Sequence, residues 1–164
     1  MKLLSLWQPH ASAMALGLKT IETRGKRTHY RGLVAIHAVK KWDGEILGII
    51  DALPKRIMNP ICDAHWILGS GLPRGCIVAI GNLVDCLGTN WQHPRDVNVV
   101  PLIFQQYPQR DTPVERALGN YEPGRYGWVF DDIKPLKDPL PYVGSQCMLD
   151  LSAITEREIM RRVG

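Results

Sequence analysis

The hydrophobic positions of this chain change period several times, and each change predicts an element. Lys2–Leu6 reads as a short strand. Pro9–Leu16 has proline at a plausible first helical position and alanine-rich helix formers behind it, which predicts a helix that Gly17 caps. From Thr20 to Arg24 the period is two, so Thr20, Glu22 and Arg24 share one face of an extended segment. Gly32–Ala38 is a near-continuous apolar run, the pattern of a central strand buried on both sides. Trp42, Ile46, Ile49, Ile50 and Leu53 then recur at helical steps, and Pro54 ends that amphipathic helix. A shorter helix follows over 59–69, opened by Asn59-Pro60.

The second half alternates strands with irregular chain. Leu72–Gly75 is a turn leading into Cys76–Cys86, the longest strand candidate, where Gly81 marks a bulge. Residues 88–124 carry Pro94, Pro101, Pro108, Pro113 and Pro123, which reads as a binding loop, a lid or a disordered stretch. Within it, Thr112–Leu118 holds a helical turn or two, with Thr112 as cap and Glu115 at the capping-box position. Tyr121–Leu136 forms a turn and a strand, and Ser145–Leu151 a last strand. Thr155–Glu158 is a capping box opening a terminal helix through Val163, whose Arg161 and Arg162 suit the helix dipole.

These elements fit one mixed domain over residues 1–164, long enough for a real core. With 45% hydrophobic and 22% charged residues the composition is that of an ordinary globular protein. No apolar run approaches the roughly 20 residues of a membrane span, and the N-terminal apolar part is too short for a secretory signal. A cytoplasmic protein without a membrane partner is therefore expected. Cys62, Cys76, Cys86 and Cys147 lack paired spacing and suit reduced thiols. Cys62 and His65 have a metal-like spacing but no second pair, so neither metal nor cofactor is expected.

The net charge of +4 is unevenly spread. Residues 1–60 hold six more cations than carboxylates, and residues 61–164 two fewer. Lys19, Arg24, Lys26, Arg27 and Arg31 fall close together with His29 and Tyr30 between them. That mix either keeps a loop soluble or binds single-stranded nucleic acid. Lys19, Glu22 and Arg24 form either a solvated face with weak ion pairs or a grip on a small polar ligand. A carboxylate between two cations is expected to stay ionised. His37, at the end of an apolar run, is either a hydrogen-bonded core-boundary residue or a base, and Asp85 either caps a turn or faces the cleft of Lys19. Arg125, Tyr126 and Trp128 are groups that recognise bases, although Arg125 points opposite to the other two in a strand, and Trp128 is equally a core residue.

Gly17, Lys19, Glu22 and Arg24 reproduce a G-x-K-x-x-E-x-R signature, and the flank Leu4–Ser12 agrees with it. In these residues the chain resembles the ASCH (activating signal cointegrator homology) domains. Pro73-x-Gly75-Cys76 with a strand ending Val84-Asp85 is similar again, as are Glu115, Gly119, Pro123-Gly124-Arg125 and Gly127-Trp128. Residues 40–70 and 88–112 match least. The resemblance implies an α+β, PUA-like mixed β-barrel with peripheral helices, its signature edging a cleft, and an RNA-linked role. Some members of that family are amidohydrolases using a lysine and a threonine three residues later. Here that position is Glu22, so the assignment does not carry over.

The leading expectation is a module for single-stranded RNA or a nucleotide. Lys19 and Arg24 would meet phosphate or base acceptors, and Glu22 a base or ribose donor. Lys26, Arg27, Arg31, Arg125 and Tyr126 would extend the surface. The alternative is a hydrolase of RNA or a modified nucleoside, with Lys19 and Glu22 or Asp85 as catalytic groups. A third reading uses the irregular 88–124 segment to bind a protein partner.

Overall fold

In a computed structural model, residues 1–42, 44–66, 71–89 and 100–163 are described, the side chains of residues 45 and 64–66 excepted. Among the described residues six strands form one mixed sheet: β1 (Lys2–Leu6), β2 (Ile21–Arg24), β3 (Gly32–Ala38), β4 (Cys76–Gly88), β5 (Tyr126–Pro141) and β6 (Leu149–Asp150). Their spatial order is β2-β5-β4-β3-β1-β6, with β1 and β3 parallel and the other neighbours antiparallel. The helices are α1 (His10–Ala15), α2 (Gly44–Ala52), α3 (Lys55–Trp66), α4 (Leu102–Gln106), α5 (Pro113–Leu118) and α6 (Ala153–Arg162). This is the α+β arrangement the resemblance implies, with the sheet curled into a half-barrel.

Alternation along the strands builds the two sides of the core. Leu4 and Leu6 point with Val34, Ile36 and Phe130 toward Met14 of α1, while Leu3, Ala35, Ile77 and Ile80 pack toward Ile159 of α6. Ile103 and Phe104 of α4 cover Ile21 and Val129, closing the edge made by β2 and β5. Register shifts in β4 at Ile77/Ala79, Ile80/Asn82 and Leu83/Asp85 bend the long β4–β5 ribbon, one of them at Gly81. The curl is large enough that Arg24 on β2 donates to the carbonyl of Ser5 on β1 at 2.7 Å, four strands away in the sheet order.

Several boundaries differ from the sequence expectation, among them the following, for identifiable reasons. Pro54 both ends α2 and opens α3, because its carbonyl accepts the amides of Ile57 and Met58; Pro60 therefore lies inside α3. Residues 67–69 of the expected helix lie outside the described residues, as do the side chains of His65 and Trp66. The last strand is only Leu149–Asp150, since Ser145 donates its amide to the Ser5 hydroxyl and Cys147 its amide to the Ser145 hydroxyl, leaving no ladder there. Ser152, not Thr155, caps α6, accepting from the Thr155 amide at 3.2 Å. Among the described residues no helix is long and apolar enough to cross a membrane.

Candidate functional site

Gly17 determines where the signature goes. Its φ of 69° ends α1 in a Schellman turn, with Leu18 donating to Ala13 and Gly17 to Met14 at 2.9 Å each. The chain leaves that turn with Lys19 directed into the protein, where its side chain is fully buried. The Lys19 ammonium lies 3.0 Å from Glu115 and also donates to the Ile21 carbonyl. Glu115 takes five donors: Lys19, the Thr20 amide at 2.7 Å, the Thr20 hydroxyl, the Ile21 amide and the Tyr121 hydroxyl. Thr112 caps α5 by accepting the Glu115 amide, as its position predicts. The Glu115 carboxylate instead crosses to the signature and ties α5 to the start of β2.

Glu22 and Arg24 follow on one face of β2, opposite Trp128 and Tyr126 of β5. Glu22 is buried and pairs with the Arg24 guanidinium at 3.0 Å. Burial pushes the Glu22 carboxyl above its ordinary range, with Glu115 reinforcing and Lys19 and Arg24 opposing. Desolvation outweighs the two cations, so the carboxyl does not fall below its ordinary range as a position between two cations alone would make it. His10, the first residue of α1, faces the same charges. Burial first, then Lys19 and Arg24, lower its pKa to about 4 against a hydrogen bond to the Leu118 backbone.

Above Arg24 opens a cleft of about 1280 Å³, between the ends of β1 and β3 and the segment 141–146. Ser5 and His37 are register partners, so their side chains meet across the parallel pair, Nδ1 of His37 lying 3.2 Å from the Ser5 hydroxyl. The other ring nitrogen is 3.0 Å from the Tyr142 carbonyl, and burial holds the imidazole below its usual pKa. His37 is thus a hydrogen-bonded residue at the core boundary and also part of the cleft wall. Exposed Lys40 and the half-exposed Trp7 ring, with Lys41 4.3 Å above it, complete the rim.

Gly144 closes this wall tightly. A Cβ there would fall 2.3 Å from two His37 ring atoms and 2.7 Å from the Ser5 hydroxyl, all in a packed setting. Gly144→Ala is expected to cost about 1–3 kcal/mol and to shift segment 142–146 off His37. Thermal melting and the His37 imidazole resonances report this; an unchanged melt and unchanged resonances would show that the segment yields freely.

The structure brings Lys19, Glu22 and Arg24 together but leaves the other expected residues elsewhere. Lys26, Arg27 and Arg31 are exposed, and Arg31 reaches Asp85 at 3.1 Å and the carbonyls of Thr28 and Tyr30. Asp85 therefore does not face Lys19. Burial raises its carboxyl, and the Cys86 amide, the Tyr107 hydroxyl and Arg31 outweigh that and leave it below the usual range. Arg125 is half-buried and donates to the Thr23 carbonyl at 3.3 Å, while Tyr126 packs on the main core cluster. Trp128 is a core residue whose indole N–H meets the Lys26 carbonyl. None of Lys26, Arg27, Arg31, Arg125 and Tyr126 lines the cleft. Trp7, Lys40 and Lys41 do, and sequence reasoning passed over them. Their signal was cations and an indole immediately after two strands, visible only once those strands are known to be parallel neighbours.

The comparisons with known proteins agree with the fold. A crystal structure of ASCH from Zymomonas mobilis superimposes with a TM-score of 0.56 over 99% of this chain and 95% of that chain, at 14% identity. A serine-to-alanine mutant of the same protein gives 0.54 at 14% identity, covering 99% and 96%. A tyrosine-to-phenylalanine mutant gives 0.51 at 12% identity, covering 99% and 98%. At such identities the likeness concerns the fold. No curated protein matches the chain. The family model of the ASCH domain matches residues 4–116, which takes in the whole signature, Glu115 and the cleft residues of β1 and β3, and stops short of Gly119–Trp128. By that match, over more than half of its length, the chain belongs to the ASCH domain family.

Proposed function

We propose that the cleft beside Arg24 binds a nucleotide of single-stranded RNA. The observation that carries this reading is an open cleft, roomy enough for a nucleotide, that holds a guanidinium, two lysines and an open indole ring on its wall and rim. Arg24 takes a phosphate or base acceptor, and Glu22 beneath it fixes the guanidinium by its 3.0 Å ion pair. Lys40 and Lys41 take the flanking phosphates. Lys19, fully buried on Glu115, holds the floor in shape and does not touch the ligand. Lys26, Arg27 and Arg31 lie outside the cleft and add to the positive field that draws RNA in.

The test is labelled single-stranded RNA with wild type and Arg24→Ala, read at low and physiological salt for bound fraction and strand length. Wild type is expected to bind in a salt-sensitive way, since phosphate contacts release counterions, and Arg24→Ala to bind about tenfold more weakly. Equal binding by both proteins would remove Arg24 from the site. One observation favours a hydrolytic variant of the same reading: the Glu22 carboxyl, raised above its ordinary range by burial, lies behind the cleft on Arg24 at 3.0 Å, and in that variant it would carry a proton. Shortening of the RNA by wild type, stopped in Glu22→Gln, would establish that variant.

A further inference from the structure

Three backbone segments meet at the end of the sheet where the cleft opens. Val39 donates to the Leu6 carbonyl at 3.0 Å, Gly75 donates to the Ala38 carbonyl at 2.7 Å, and the Gln8 side chain donates to the Pro73 carbonyl at 2.6 Å. These bonds bring Trp7, the run Lys40-Lys41-Trp42 and Arg74 onto one rim. On that rim Lys41 sits over the Trp7 ring, and the Arg74 guanidinium lies 4.9 Å above the Trp42 ring. Both indoles are 37% exposed, whereas Trp128 in the core is 8% exposed. Trp42 is expected from its periodicity to join the apolar stripe of α2, but the helix begins at Gly44, so its ring stays on the surface beside Arg74.

An exposed indole under a cation is a place where a base can stack while the cation turns to the adjoining phosphate. Trp7 borders the cleft and Trp42 lies outside it. We propose that the Trp42–Arg74 pair is a stacking platform for the base next to the one held in the cleft, with the strand leaving the cleft across Trp7. The proposal rests on the cleft binding a nucleotide and adds that the ligand is an oligonucleotide read over consecutive bases. It also accounts for a rim on which lysines and an arginine alternate with indoles, a sequence-tolerant surface suited to a single strand.

The experiment compares uridine monophosphate with a fluorescein-labelled uridine octanucleotide, using wild type, Trp42→Ala, Trp42→Phe, Arg74→Gln and Arg24→Ala. Wild type is expected to bind the octanucleotide tighter than the monophosphate and to lose indole fluorescence on doing so. Trp42→Ala should weaken the octanucleotide about fivefold or more with the monophosphate unchanged, as expected for loss of one stacked base. Trp42→Phe should recover part of that loss, and Arg74→Gln should weaken only the octanucleotide and flatten its salt dependence. Octanucleotide affinity untouched in Trp42→Ala, with Arg24→Ala impaired, would overturn the platform and leave the cleft standing. Absence of binding to either probe by wild type would overturn the cleft reading and the platform with it. Because Trp42 lies outside the core clusters, the two Trp42 variants should keep the wild-type melting temperature, which separates binding loss from unfolding; Arg24→Ala, which leaves buried Glu22 without its cation, is compared at matched folded fraction.

Discussion

Lys19→Ala is expected to lower the stability of the folded chain by about 3–5 kcal/mol, because it leaves the Glu115 carboxylate buried without its cation. Glu115→Ala should cost a similar amount by stranding the ammonium, and should also release the amides of Thr20 and Ile21. A domain of this kind has roughly 5–15 kcal/mol in total, so either change removes a large share. The double variant Lys19→Met with Glu115→Leu should recover much of the loss, since an apolar pair of similar volume carries no charge to desolvate. Urea denaturation of the four proteins checks this. A Lys19→Ala midpoint equal to wild type would mean that the ammonium is not committed to Glu115 and is available to a ligand. The consequence for function is direct: any binding lost in Lys19→Ala must first be measured against the fraction still folded, and the same check applies to Arg24→Ala, whose partner Glu22 is buried, although Arg24 itself reaches the cleft.

The same ion pair shows where sequence reasoning reaches and where it stops. The helix end at Gly17, the extended segment after it, the apolar β3 and the Thr112 cap all follow from local patterns, and each stands where those patterns put it. Whether a lysine at such a spacing is solvated or buried is a non-local fact. Its partner lies 96 residues away on α5, and the Lys19 that points inward has the same neighbours in sequence as one that points out. Glu115 was legible as a capping-box residue, yet its carboxylate goes to Lys19 because a buried ammonium offers more than the cap amide of a short exposed helix. The cleft rim was missed for a topological reason. Trp7 and Lys41 are unremarkable beyond the ends of two strands until β1 and β3 pair in parallel and deliver both ends to the same side of the sheet. Lys26, Arg27 and Arg31 stand out in the sequence by their density along the chain, which measures charge per residue but not the direction in which a loop carries it.

His10 gives the protein a pH dependence that can be assigned to one ring. Its pKa is near 6.5 when unfolded and about 4 when folded, so between those values the unfolded chain binds more protons, and stability rises with pH. The contribution is fully present above 6.5 and is lost as pH falls through 4, amounting to about 3 kcal/mol. The groups facing the ring are Lys19, Arg24 and the Leu118 backbone, so protonation would place a third cation beside two that Glu22 and Glu115 already neutralise. Glu22 acts in the opposite sense: its raised pKa makes the folded state the better proton acceptor just above the ordinary carboxylate range, which flattens the net curve. Urea titrations from pH 7 to pH 4 should therefore show wild type losing stability faster than His10→Gln, and Glu22→Gln losing it faster still than wild type. Parallel curves for wild type and His10→Gln would mean that the imidazole is solvated in the folded protein.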